Sequence, residues 1–151
     1  MEESNAALIC EEKKMSKDIN ADKFEVANRW LYLQNRNISF LEKLKNTGVD
    51  KIILYGASEF ALRLLEQCEN ENNIVEIIGI VDRSISSKGT FYKSIPLLSF
   101  NDILKLDMRN VKIIITAMGF CEEIKNNLEE KEIINFITLK ELIYDAYCNM
   151  S

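Results

Sequence analysis

Lys51-Ile-Ile-Leu-Tyr-Gly-Ala-Ser-Glu-Phe-Ala61 passes from one periodicity to another across a single glycine. Lys51–Tyr55 is a short apolar, β-branched run, which reads as a buried strand closed by Gly56. From Ser58 the spacing changes, and Phe60, Ala61, Leu64, Leu65 and Cys68 fall on one side of a helix predicted to end near Glu69. Toward the C-terminus, Ile74–Val81 is a second apolar run, ended by Asp82 and followed by a polar loop over Arg83–Thr90. Ser94–Leu98 is predicted as a short strand. It holds Pro96, the single proline of the chain, which has no N–H for a ladder and so places this strand at a sheet edge. Ser99 opens a short helix to about Leu106, and Val111–Thr116 reads as a strand. Gly119 to about Glu130 reads as a helix and Ile133–Ile137 as a strand. Thr138, with Glu141 at N3, caps a closing helix to Tyr147.

Toward the N-terminus, Asp22 with Glu25 three residues later is a capping-box pattern and predicts a helix start. Phe24, Ala27 and Leu31, with Val26, Trp30 and Leu33 beside them, give this helix an apolar face to about Gln34. Ser39-Phe-Leu-Glu42 repeats the capping pattern and opens a helix through Leu41 and Leu44 to Gly48, a good C′ residue. The expected organisation is a flexible acidic tail over 1–20, a helical hairpin over 21–48 and the main domain over 49–148. In that domain strands alternate with helices, and the central strands are apolar throughout. Such strands belong in a parallel sheet covered on both faces. With right-handed crossovers this is an α/β, Rossmann-like fold of strand order 3-2-1-4-5.

Composition narrows the chemistry. The 151 residues include no histidine, which excludes Ser-His-Asp and Cys-His nucleophilic catalysis and imidazole metal sites. Four cysteines, Cys10, Cys68, Cys121 and Cys148, lie far apart without metal-ligand spacing. The net charge is −5, and residues 1–25 carry seven acids against four bases, leaving a nearly balanced body. The bases are scattered, so neither nucleic acid nor an anionic membrane is an expected partner. The start has the pattern of neither a secretory signal nor a membrane span, and the expected location is cytoplasmic.

The turn at Gly56 occupies the place of a dinucleotide phosphate loop, G-x-G-x-x-G/A. Gly56 matches the first glycine and Ala61 the third residue, while Ser58 replaces the second glycine. Asp82 ends the second strand, where this fold places an acceptor for ribose hydroxyls. Glu59, in the first helical turn, suits the helix dipole but competes with an anionic ligand. The candidate binding residues are therefore Gly56, Ala57, Ser58, Glu59, Phe60, Asp82 and Arg83, with Ala117, Met118 and Gly119 opposite, beyond the fourth strand. The alternative is a turn kept for geometry alone. Lys88 shares the loop with Arg83 and reads as solvated. Cys121, beside Glu122 and Glu123, reads as an inert thiol, and Trp30, Tyr32 and Phe24 form either a partner surface or packing on the sheet's own helices.

The order of these segments resembles the amino-terminal nucleotide-sugar-binding domain of bacterial sugar acyltransferases, and related small domains associated with bacterial glycosyltransferases. Trp30-Leu-Tyr-Leu, Ile53-Leu-Tyr-Gly56 and Ile137-Thr-Leu-Lys-Glu-Leu-Ile-Tyr144 carry the resemblance, over roughly residues 28–147. It implies a nucleotide sugar as ligand, beside the dinucleotide suggested by the phosphate-loop pattern, with Gly56, Ser58 and Asp82 at the family's turn and acid positions. The hexapeptide-repeat β-helix and catalytic histidine of those acyltransferases have no counterpart here, so acyl transfer is not expected. The leading expectation is a non-catalytic nucleotide- or nucleotide-sugar-binding module of cell-surface glycan biosynthesis. The alternatives are a scaffold with a decayed site that binds a second copy or a glycosyltransferase partner, and an NAD(P)-dependent oxidoreductase. The last lacks a Tyr-x-x-x-Lys pair after the fourth strand.

Overall fold

The computed structural model describes residues 2–82, 91–92 and 94–149, with side chains described for 19–82 and 94–149. Two helices, α1 (Glu2–Asn35) and α2 (Phe40–Asn46), precede β1 (Lys51–Tyr55) and α3 (Glu59–Asn70). Then come β2 (Glu76–Val81), β3 (Phe91–Tyr92), β4 (Ile95–Leu98) and α4 (Phe100–Leu104). The chain closes with β5 (Val111–Ile115), α5 (Cys121–Glu130), β6 (Phe136–Thr138) and α6 (Leu139–Cys148). The sheet order is β3-β4-β2-β1-β5-β6. Its five parallel strands, β4-β2-β1-β5-β6, have the expected 3-2-1-4-5 order of a Rossmann-like α/β fold.

The outer edge differs from the expectation. Two-residue β3 pairs antiparallel with β4, so β4 is the second strand from that edge. Pro96 remains compatible because β4 meets β2 only in the register Ile80↔Leu97 and Val81↔Leu98, while Pro96 lies opposite Phe91. At the other edge β6 starts at Phe136 and not at Ile133. Glu132 has φ 60° and Ile134 is 80% exposed, so the chain is still turning where the apolar run begins.

Side-chain alternation divides the core. Ile52, Leu54, Ile80 and Ile114 face a layer containing α1, α2, α3 and α6. Ile53, Tyr55, Val81, Ile113 and Ile115 face Ile103 of α4 and Ile124 and Leu128 of α5. Each fully buried Ile or Leu contributes about 1.5–3 kcal/mol. The double-sided burial of β1 and β5 therefore outweighs any single cap.

Helix α1 runs unbroken from Glu2 through Asp22, so the expected start at Asp22 is not a start. Residues 2–35 contain no glycine or proline to stop it. Its buried face is Val26, Trp30 and Leu33, whereas Phe24 and Leu31 are 72% and 54% exposed. Both triads have helical spacing. The buried one is fixed by Trp30, whose ring meets Phe40 edge-on and stacks on Phe60, and whose Nε1 donates to Gln67 Oε1 at 2.5 Å. Of the three aromatics weighed as a partner surface, Trp30 thus packs internally, Tyr32 lies edge-on to Tyr147, and Phe24 stays outside.

The remaining caps follow their sequence signals. Ser39 Oγ accepts from Glu42 N at 3.0 Å, and Gly48 (φ 100°) donates to Lys45 O. Ser99 and Asp102 form a reciprocal box, and Thr138 Oγ1 accepts from Glu141 N at 3.0 Å. No helix among the described residues is long and apolar enough to cross a membrane.

Candidate functional site

Gly56 ends β1 with φ 123°, in a region that favours glycine. Its N–H donates to Val81 O at 2.7 Å, which joins the turn to β2. On the other side the buried Thr116 hydroxyl lies 3.0 Å from Gly56 O and 3.2 Å from Tyr55 O, which joins it to the end of β5. A Cβ at this position would stand 2.7 Å from Thr116 Oγ1 and 3.0 Å from Ala117 N. The first glycine of the motif is therefore required by the approach of three strand ends.

The next residues lead into α3. Ala57 N donates to Asp82 Oδ2 at 2.8 Å, so one carboxylate oxygen of Asp82 holds the turn. Ser58 is the N-cap in extended conformation, but its hydroxyl makes no capping bond. Ser58 and Glu59 are both exposed. Ala61 is fully buried, as the third motif position requires for close helix–sheet packing.

These residues form one wall of a solvent-open cleft of about 920 Å³. It lies outside the carboxyl ends of β1, β2 and β5, where open α/β sheets take their ligands. Its size is that of a small-molecule site. Nine of the ten candidate residues line it: Gly56, Ala57, Ser58, Glu59, Phe60, Asp82, Ala117, Met118 and Gly119. Arg83, like Lys88, lies outside the described residues. Phe60 does not fill the cleft, because its ring is stacked on Trp30 at 6.4 Å between centroids.

The cleft also gathers residues that the sequence reading passed over. Thr116 closes the strand wall, and Phe120, Glu123 and Ile124 bring the start of α5 to it. The logic that selected Ser58–Phe60 at the start of α3 applies equally to the start of α5, and would have found them. Lys23 of α1 also lines the cleft. No local pattern marks it, since it lies 33 residues before Gly56. The charged lining groups among the described residues are thus Glu59, Asp82, Glu123 and Lys23, beside apolar lining side chains that include Met118 and the exposed Phe120.

Cys121 begins α5 half-buried, and burial, reinforced by Glu122, pushes its thiol above the ordinary value despite Lys125. That shift disfavours the thiolate, the form in which a cysteine reacts. Among the described residues no group of three or more Cys, Asp or Glu is arranged to hold a metal ion. Comparisons with the known protein families, with curated protein sequences and with solved structures find no match to this chain.

Proposed function

We propose that this chain is a non-catalytic binding module for a nucleotide or nucleotide sugar. The observation that carries the reading is the open cleft at the carboxyl ends of β1, β2 and β5, which Phe60, stacked on Trp30, lines without filling. In this reading the phosphates lie over the first turn of α3 beside Ser58, whose hydroxyl is not used as a cap. The ribose faces Asp82, and the base or sugar lies against Met118 and Phe120. The resemblance to nucleotide-sugar-binding domains points to activated sugars and to cytoplasmic steps of glycan assembly.

Thermal-shift screening with UDP-, GDP- and CDP-sugars, NAD(P) and CoA tests it. A ligand at 100 times its Kd stabilises the folded state by about 2.7 kcal/mol, a rise of roughly 5–10 °C for a domain of this size. No rise with any of these ligands at millimolar concentration refutes the reading. A second reading, self-association through α1, is favoured by a different observation: Phe24 and Leu31 are exposed one above the other, seven residues apart. Light scattering after size exclusion would return a dimer on that reading and a monomer against it.

A further inference from the structure

We propose that Lys23 binds the phosphate of the ligand, so that α1 is one wall of the binding site as well as a layer on the sheet. The inference rests on the nucleotide reading above and goes beyond it in naming the residue that makes an anion acceptable. The other charged groups that the described residues bring to the cleft, Glu59, Asp82 and Glu123, are carboxylates. A phosphate entering over the turn meets repulsion first from Glu59, which is exposed in the first turn of α3. The α3 amide ends alone carry only a fraction of a compensating charge.

The position of Lys23 follows from how α1 is pinned. Trp30 of α1 stacks on Phe60 in the first turn of α3, with an interplanar angle of 11°. Lys23 lies seven residues earlier on the same helix, which is about two turns and about 10 Å along the axis, and on nearly the same side. The helix therefore carries Lys23 past the start of α3 to the rim of the cleft, where it joins the lining. Its neighbours are committed elsewhere. Asp22 pairs with Lys140 Nζ at 3.3 Å, and Glu25 accepts from Tyr144 Oη at 3.1 Å, both on α6. These two bonds hold α1 in rotation on either side of Lys23. Lys23 itself is exposed and has no ion pair among the described residues. An ammonium on a flexible stem is a point charge suited to a phosphate. Because it stays hydrated until the ligand arrives, it carries no buried-charge penalty in the free protein.

Calorimetric titration of the full chain with UDP, GDP, CDP and ADP, each against its parent nucleoside, tests this. Wild type is expected to bind at least one diphosphate more tightly than its nucleoside. Lys23→Met should weaken that diphosphate about tenfold. It should leave the nucleoside affinity and the melting temperature unchanged, and should flatten the dependence of diphosphate binding on NaCl. Lys23→Arg should retain binding. Diphosphate binding that is equal in wild type and Lys23→Met overturns the role of Lys23 and leaves the nucleotide reading standing. So does an equal loss of diphosphate and nucleoside. No diphosphate binding by wild type overturns both.

Discussion

Gly56→Ala is the most informative single change in the molecule, because two separable costs fall on one methyl group. The first is backbone strain: at φ 123° an alanine is held in a sparsely populated region, at a cost of about 1–3 kcal/mol. The second is steric. The new Cβ would stand 2.7 Å from Thr116 Oγ1 and 3.0 Å from Ala117 N. Thr116 is only 1% exposed and its hydroxyl is bonded to carbonyls of the same turn, so it cannot swing away freely. Overpacking of this kind costs about 1–3 kcal/mol. The lost flexibility of the unfolded chain returns about 0.4–1 kcal/mol. The net expectation is a loss of about 1–5.6 kcal/mol, measured by urea unfolding followed through the fluorescence of Trp30, the single tryptophan. A second arm separates the terms. Thr116→Ala removes the clashing oxygen and alone costs about 1–2 kcal/mol through its lost hydrogen bonds. In that background Gly56→Ala should cost about 1–2 kcal/mol less than in wild type, the backbone term and the Ala117 contact remaining. A Gly56→Ala protein within about 0.5 kcal/mol of wild type, or a strictly additive cycle, refutes the account of why glycine is needed there.

Three further outcomes are expected. Trp30→Phe leaves the buried Gln67 Oε1 with only Gln34 Nε2 at 3.4 Å, and should cost about 1–3 kcal/mol by circular dichroism melts. Adding Gln67→Leu should recover part of this, and no recovery would mean that the loss is one of packing. Gly79→Ala drives a Cβ into the Leu98 side chain of the neighbouring strand. It should destabilise by about 1–3 kcal/mol and be relieved by Leu98→Ala, which urea midpoints of the two variants will show. Burial, with Glu71 and Glu69 adding to it, pushes the Cys68 thiol from 9.0 to about 12. The unfolded chain therefore releases this proton first, and the stability it confers is lost as pH rises from about 9 to about 12. The difference between wild type and Cys68→Ala should shrink over that window, and a difference independent of pH would contradict it.

What could be read from the sequence was whatever a local pattern determines. Lys51–Tyr55 and Val111–Ile115 are apolar on both faces, and a strand with that pattern has no place except the middle of a covered sheet. The caps at Ser39, Ser99 and Thr138 are fixed within four residues and form as their sequences require. The misreadings fall where a local pattern admits two answers. In α1 the triads Phe24–Ala27–Leu31 and Val26–Trp30–Leu33 have equally good helical spacing. The choice is made by Phe40, Phe60 and Gln67, the last two from the far side of β1 in sequence. Asp22 has the letters of a cap but stands in the middle of a helix, because nothing before it breaks one and its carboxylate is taken by Lys140. Lys23 reaches the cleft only through the α1–α3 stacking, which no window of sequence contains.

That distinction also sorts the motif residues by what they reveal about a ligand. Gly56 was the strongest letter of the phosphate-loop pattern, yet Thr116 and Ala117 account for it completely without one. Ala61 is explained by burial against the sheet, and one oxygen of Asp82 by its bond to Ala57. A decayed scaffold would keep all three for folding alone. Ser58 is different: its hydroxyl caps nothing, and its exposed position is not dictated by packing. Lys23 is different in the same way, a cation on the rim of an acidic cleft without an ion pair among the described residues. Within the open cleft, the residues that speak for a ligand are therefore the two that the fold does not need. Substituting them should alter binding without altering stability, whereas substituting Gly56 should alter both. A Ser58→Ala, Lys23→Met protein that melts like wild type and binds the same diphosphate equally well would assign the whole turn to the fold.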